Sequence, residues 1–130
     1  AFHVLDELLR MTVKQAETEG LRLEVRRGTD AALCVNEVEI RQALLNLVRN
    51  AIKASPRPGG IIWLGATRSG EHALFSVENR IDPAAGQRSG MGIGLSIVQI
   101  VAQSHDGQLH VDRPGAGRVR CTLQLPIAGD

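Results

Sequence analysis

The hydrophobic pattern of this 130-residue chain repeatedly changes its period, from the spacing of a helix to the alternation of a strand. Helical spacing predicts one helix that ends near Gly20, a second from Asn36 to about Ser55, and a third over 92–104. Two strand-like segments follow each helix. This order predicts an α+β fold, a two-layer sandwich in which three helices cover one face of a mixed, mostly antiparallel sheet.

The strand-like segments are short and separated by turn residues, as expected for a small sheet. They are residues 21–25, 32–35, 61–67, 73–78, 108–112 and 118–125. Asn36 and Glu39 have the spacing of a capping box, and Pro56 ends the second helix. The third helix is apolar nearly all round, which predicts that it is well buried.

The composition fits one domain over residues 1–130, whose core is built from aliphatic side chains because aromatic residues make up only 2% of the chain. The formal net charge of +1, with no block of like charge, argues against nucleic-acid binding.

Cys34 and Cys121 lie in apolar runs and are interpreted as reduced core thiols. The sequence has no signal peptide and no apolar run near 18 residues, so we expect neither export nor membrane insertion from this segment itself; the start at Ala1 fits a piece of a longer protein.

The second helix carries a polar stripe well away from its core-facing side. At 100° per residue, Glu39, Asn46, Asn50 and Lys53 fall within about 60° of one another. Asparagine is a mediocre helix former, so two of them four residues apart in mid-helix need an explanation. An amide oxygen can ligate Mg²⁺, and a lysine one turn on can meet a phosphate. The alternative is a solvated polar face with incidental asparagines. The core-facing residues of the same helix are Ile40, Ala43, Leu44, Leu47, Val48 and Ala51.

A glycine-rich segment runs directly into the third helix. Gly90, Gly92 and Gly94 let backbone N–H groups approach an anion, and the positive end of the following helix points at it. The spacing differs from the dinucleotide-binding fingerprint, and no Gly-Lys-Ser/Thr of a P-loop follows. A flexible hinge or close helix packing is the alternative interpretation.

Together these segments resemble the ATP-binding catalytic domain of sensor histidine kinases, of the wider GHKL (Bergerat-fold) superfamily shared with DNA gyrase and the heat-shock chaperone ATPases. Residues 46–53 are similar to the N box of that family, and residues 90–98 to its G2 box. Residues 4–9 resemble the opening helix, 104–107 the His-Gly turn, and 115–126 the closing hairpin and strand. The resemblance covers nearly the whole chain.

The resemblance implies a function and a set of site residues. It implies binding of ATP and Mg²⁺, with Asn50 holding the metal ion, and transfer of the γ-phosphoryl group by positioning and charge neutralisation. It places Asn46 and Lys53 at the metal–phosphate end. The nucleotide-binding residues that it implies are Asn50, Lys53, Asn79, Gly90, Gly92, Gly94 and Leu95.

The G1 motif of the family is the one box from which this chain departs. Asn79 stands at the end of a predicted strand, where the family has an aspartate that accepts a hydrogen bond from the adenine amino group. An asparagine oxygen can still accept that bond, but without charge assistance, which weakens it about twofold. The alternative for Asn79 is a simple strand-end turn residue.

The four histidines, His3, His72, His105 and His110, lack the His-Glu context of a phosphoacceptor, and ordinary structural or surface roles are favoured for them. The resemblance therefore implies an acceptor on an upstream dimerisation domain, with a homodimeric full-length protein and a response regulator as partners. It also implies a cytoplasmic domain without membrane contact of its own, any tether lying upstream. Two alternatives remain: a degenerate docking scaffold that binds nucleotide weakly or not at all, and an anti-sigma-type serine kinase.

Overall fold

The computed structural model describes residues 2–26, 34–35, 38–56, 59–81, 91–115 and 117–127. Within these ranges it contains three helices: α1 (Val4–Thr18), α2 (Val38–Ala54) and α3 (Met91–Ser104). The strands are β1 (Phe2–His3), β2 (Arg22–Val25), β3 (Cys34–Val35), β4 (Ile61–Ser69), β5 (His72–Arg80), β6 (Gln108–Asp112) and β7 (Arg118–Pro126). In the same ranges, no helix combines the length and the apolar character that crossing a bilayer requires.

Five strands form the main sheet in the order β2-β4-β5-β7-β6. The β2–β4 pair is parallel and the other three pairs are antiparallel. The predicted sandwich with a mixed, mostly antiparallel sheet is therefore confirmed. The pairing of β1 with β3, where Phe2 lies opposite Val35, was not predicted. Two-residue strands are too short to leave a periodic signal in the sequence.

The hydrophobic core lies between the helices and one face of the sheet, here called the inner face. Alternation along each strand brings Leu64, Val77 and Cys121 into register there, and Ala66, Phe75 and Leu123 beside them. These side chains are at most 9% exposed. Helix α2 supplies the largest helical share of the core: Ile40, Ala43, Leu44, Leu45, Leu47, Val48, Ala51, Ile52 and Ala54. The predicted core-facing stripe of α2 is thereby confirmed.

The ends of the helices follow the local signals in the sequence. Helix α1 stops at Thr18, and Gly20 adopts a φ of 75°, a left-handed conformation that glycine takes without steric cost. Helix α2 stops at Ala54, where the Ser55 hydroxyl donates to the Ala51 carbonyl. The predicted cap at Asn36 lies outside the described residues.

The expectation that α3 is well buried was wrong. Val98 and Ala102 are fully buried, but Ile97 is 48% exposed and Ile100 is 65% exposed. The helix packs on α2 and the sheet through one side only, and within the described part of the chain nothing covers the other side. An apolar surface all round a helix predicts burial only if other elements surround the helix, and that depends on the fold rather than on the helix.

The predicted core thiol is confirmed for Cys121, which is reduced and faces the core. Burial, with a smaller contribution from the nearby Asp112 carboxylate, raises the pKa of the Cys121 thiol to about 11. The side chain of Cys34 lies outside the described residues.

Candidate functional site

The polar stripe of α2 begins at the first turn of the helix. Glu39 lies there and its Oε1 is 3.4 Å from Nε2 of His105, in the turn that follows α3. This contact joins the start of α2 to the end of α3, so the stripe begins where the two helices meet. Lys53 stands exposed in the last turn of α2, where a cation also complements the helix dipole. The contact between Glu39 and His105 could not be predicted from the sequence because it joins residues 66 positions apart.

Asn50 has the most unusual environment of the stripe. Its Nδ2 is buried and has no hydrogen-bond partner in the described structure. A buried polar group without a partner costs about 1–3 kcal/mol, so such groups are rare unless a ligand satisfies them. Hydrogen bonds alone distinguish the two ends of an amide, so this end of Asn50 can present either its nitrogen or its oxygen. An amide that offers an oxygen from a buried position fits a hard cation such as Mg²⁺.

Asn46 lies in different surroundings, although only one helical turn separates it from Asn50. It lines a cavity of about 390 Å³ between α1 and α2, together with Met11 of α1 and the guanidinium groups of Arg41 and Arg49. Asn50 does not line this cavity. The structure thus brings Asn46 to the α1 side of the stripe.

The glycine-rich segment meets the start of α3. The helix begins at Met91, so Gly92 and Gly94 lie in its first turn, while Gly90 lies outside the described residues. The first four N–H groups of a helix have no partner within the helix and carry its positive dipole end. Leu95, one turn in, is half-buried against the core. Residues 92 and 94 therefore lie in the turn of the helix whose backbone N–H groups have no partner within the helix.

Asn79 lies within β5, next to its last residue, and is only 3% exposed. Its side chain is on the inner face, between Ile62 of β4 and Val119 of β7. The amide nitrogen donates to the carbonyl of Arg80 at 2.7 Å. The amide oxygen is consequently the end suited to accepting a hydrogen bond from a ligand.

The sequence alone did not reveal a cluster on the opposite, open face of the sheet. Glu78 is 2% exposed, and its carboxylate oxygens lie 2.6 Å from an Arg26 nitrogen and 3.4 Å from an Arg118 nitrogen. The same two guanidinium groups stand over the ring of Trp63, at 5.4 and 4.8 Å from its centroid. Alternation along β5 places Glu78 on this face. Only the order of the strands in the folded sheet brings the side chains of Arg26, Trp63 and Arg118 close to it.

The sequence profile of the family described as "Histidine kinase-, DNA gyrase B-, and HSP90-like ATPase" matches residues 35–129. The chain is 30% identical over 142 residues to the C4-dicarboxylate transport sensor protein DctS of Rhodobacter capsulatus, covering 95% of this chain and 22% of that protein. It is 34% identical over 126 residues to the sensor-like histidine kinase SenX3 of Mycobacterium tuberculosis, covering 80% of this chain and 30% of that protein. The chain thus spans less than a third of the length of these two relatives.

Solved structures agree with these matches. The mycobacterial sensor histidine kinase MprB aligns with a TM-score of 0.69 at 25% identity, covering 95% of this chain and 91% of that chain. Full-length ShkA in complex with AMPPNP aligns with a TM-score of 0.78 at 22% identity, covering 98% of this chain and 30% of that chain. The family and the fold predicted from the N box and G2 box are confirmed. The chain belongs to the family of histidine kinase-, DNA gyrase B- and HSP90-like ATPases.

Proposed function

We propose that this chain is the ATP-binding catalytic domain of a sensor histidine kinase, which binds Mg·ATP and passes the γ-phosphoryl group to a histidine on an upstream dimerisation domain. The observation that carries the proposal is the buried, unpartnered amide of Asn50 on α2, in the part of the chain that matches the family. Its relatives are named as sensor proteins and histidine kinases, and ShkA was solved with a nucleotide analogue.

Residues of α2 and of the start of α3 can perform the phosphate end of this chemistry. The Asn50 amide oxygen would hold Mg²⁺, which neutralises charge on the phosphates when bound. Asn46 stands one turn before Asn50 and Lys53 about one turn after it, so the lysine can meet a phosphate as a point charge. The N–H groups around Gly92 and Gly94 at the start of α3, with Gly90 before them, would receive phosphate oxygens.

The base end depends on Asn79. Its oxygen would accept from the adenine amino group in place of the family's aspartate, while its nitrogen is held by the Arg80 carbonyl. That internal bond fixes the amide orientation and presents the acceptor rather than the donor. A neutral acceptor gives a weaker bond than a carboxylate, so we expect modest adenine affinity.

The partners and location follow from the same proposal. The phosphoacceptor lies on the dimerisation domain of the full-length homodimer, because no histidine of this chain has the acceptor context. A response regulator receives the phosphoryl group afterwards, and the domain works in the cytoplasm.

Isothermal titration with ATP and ADP, with and without Mg²⁺, tests the proposal. The parent chain is expected to bind Mg·ATP with measurable heat, and Asn50→Ala is expected to lose the Mg²⁺-dependent part. Gln15→Ala removes an exposed amide on α1 and serves as the matched control, with binding unchanged. An absence of heat with the parent chain would contradict the proposal and favour the docking-scaffold alternative.

Urea denaturation of Asn50→Ala separates loss of binding from loss of folding. Because the wild-type amide is buried without a partner, its removal relieves a desolvation cost. We expect the free energy of unfolding without nucleotide to change by less than about 1 kcal/mol or to rise. A large fall would mean that Asn50 has a structural role instead.

A further inference from the structure

A second cavity lies at one end of the open sheet face, beside the start of β4. It has a volume of about 270 Å³ and is lined by Pro56, Gly59, Gly60, Ile61, Trp63 and Arg80. Trp63 lies opposite Glu78 in the β4–β5 register, and Asn79 lies opposite Ile62. Side chains alternate between the two faces along a strand, so Trp63 and Arg80 are on the open face whereas Asn79 is on the inner face. The side chains of Trp63 and Arg80 therefore lie on the face of the sheet opposite to that of Asn79.

Positive charge is concentrated beside the cavity. Arg80 lies directly opposite Arg118 in the β5–β7 register, and like charges in that relation destabilise a sheet. Glu78 lies between Arg26 and Arg118 and contacts both. Two guanidinium groups thus share one carboxylate, and within the described residues Arg80 has no carboxylate bound to it, so it leaves an excess of positive charge on this face.

The other carboxylates of this face do not reduce that excess. Glu24 pairs with Arg22 at 3.3 Å, and Asp112 pairs with Arg120 at 2.6 Å. Each of these is a one-to-one pair, so neither carboxylate is left over for Arg80. Within the part of the chain that the structure describes, Arg80 lines the cavity with no carboxylate bound to it.

We propose that this cavity and the arginines beside it bind an acidic segment of a partner protein. A carboxylate of the segment pairs with Arg80, and a neighbouring apolar side chain packs against Ile61 and Trp63 in the cavity. The combination of one arginine with apolar and aromatic walls is typical of peptide-binding pockets. A nucleic acid or an anionic bilayer is less suited, because tight binding to either requires many uncompensated cations over a broad surface.

The fluorescence of Trp63 provides a direct test, because it is the only tryptophan and the chain has no tyrosine. The probe is a synthetic peptide of alternating glutamate and leucine, titrated into the chain while Trp63 emission is recorded. We expect a saturable change in emission that persists in the presence of saturating Mg·ATP, since Trp63 and Arg80 lie on the face of the sheet opposite to that of Asn79. A lysine–leucine peptide of equal length is expected to produce no change.

Arg80→Ala is expected to weaken binding of the acidic peptide by roughly tenfold or more, the loss of one charge-assisted pair. Arg68→Ala removes the same charge from the far end of β4 and is the matched control, with affinity within about twofold of the parent. Thermal unfolding of both variants verifies that they are folded.

Three outcomes would overturn the proposal. One is the absence of a saturable signal with the parent chain. Another is equal affinity of the parent chain and a folded Arg80→Ala variant. The third is binding of a single-stranded oligonucleotide, or of vesicles rich in anionic lipid, at least as tightly as the peptide, which would identify a general anion surface. Failure of ATP binding in the calorimetric test leaves these outcomes unaffected, so the two proposals fail separately.

Discussion

At the residue scale, the buried polar groups of Glu78 and Asn50 show opposite relations to their surroundings. Glu78 is almost fully buried, and two arginines satisfy its carboxylate. Asn50 has a buried amide end that nothing in the described structure satisfies. A buried polar group that is fully paired is a structural feature, whereas an unpaired one is a candidate for ligand binding. The two side chains therefore have different experimental signatures.

Glu78→Gln is expected to lower the free energy of unfolding by about 2 kcal/mol. The substitution keeps the size of the side chain but removes the negative charge that Arg26 and Arg118 share. The cost stays below that of a wholly buried pair because both arginines are partly exposed and can be hydrated.

Glu24→Gln is the matched control, because Glu24 pairs with Arg22 on the same face but is far more exposed than Glu78, at 42% against 2%. An exposed pair contributes less than about 1 kcal/mol. Urea denaturation of the two variants measures the difference. If both substitutions lowered the free energy of unfolding equally, the burial of Glu78 would add nothing to the stability that its ion pairs contribute.

At the scale of the elements, the turn between α3 and β6 depends on the absence of one side chain. Asp106 adopts a φ of 59°, and the Gly107 amide donates to the Ala102 carbonyl at 2.7 Å, which closes the end of α3. The backbone of Gly107 then passes directly against β7. This close approach fixes where α3 leaves the core and where β6 begins.

Gly107→Ala is expected to destabilise the protein by about 2 kcal/mol. The new Cβ would lie 2.8 Å from the Leu125 Cδ2 and closer still to the carbonyl oxygen of Gln124, a backbone atom that cannot move aside alone. Gly115→Ala, in the β6–β7 turn, is the control, because its Cβ would have the Arg118 Cδ at 3.8 Å as its nearest neighbour. Thermal unfolding should separate the two variants, with Gly115→Ala within about 0.5 kcal/mol of the parent. If Gly107→Ala and Gly115→Ala were both as stable as the parent chain, the close approach of Gly107 to β7 would be refuted.

At the scale of the whole molecule, the single core makes stability sensitive to the ionisation of one thiol. Burial raises the folded-state pKa of Cys121 from its ordinary value of 9.0 to about 11. Below pH 9 the thiol is protonated in both states and contributes no pH dependence. Between pH 9 and 11 the unfolded chain releases this proton while the folded protein keeps it, so stability falls as the pH rises.

We expect this thiol to lower the free energy of unfolding by up to about 1.4 kcal/mol per pH unit in the middle of that window, or by about 2 kcal/mol between pH 7 and 11. Urea denaturation at a series of pH values from 7 to 11 measures the slope. Cys121→Ala keeps every other titrating group, so the difference between the two slopes isolates the thiol. Parallel slopes would mean that the thiol ionises equally easily in the folded and unfolded states.

Much of the fold was predictable because its signals are local. The sequence predicts a helix from Asn36 to about Ser55 and strands over 61–67 and 73–78. Within the described residues the structure has these elements at Val38–Ala54, Ile61–Ser69 and His72–Arg80. The polar stripe of α2 was predictable for the same reason. The roles of its residues toward a ligand stay predictions, since they concern groups that the chain itself does not supply.

Local patterns in the sequence were enough to predict the order of helices and strands, the core-facing side of α2 and the family, because periodicity and motif spacing depend only on nearby residues. Tertiary structure alone decided which polar groups meet: Glu78 with Arg26 and Arg118, and Glu39 with His105. It also decided that the outer side of α3 stays exposed. These outcomes depend on which helices and strands become neighbours. The neighbours are decided by the packing of all the elements around one core, so no single segment of the sequence contains them.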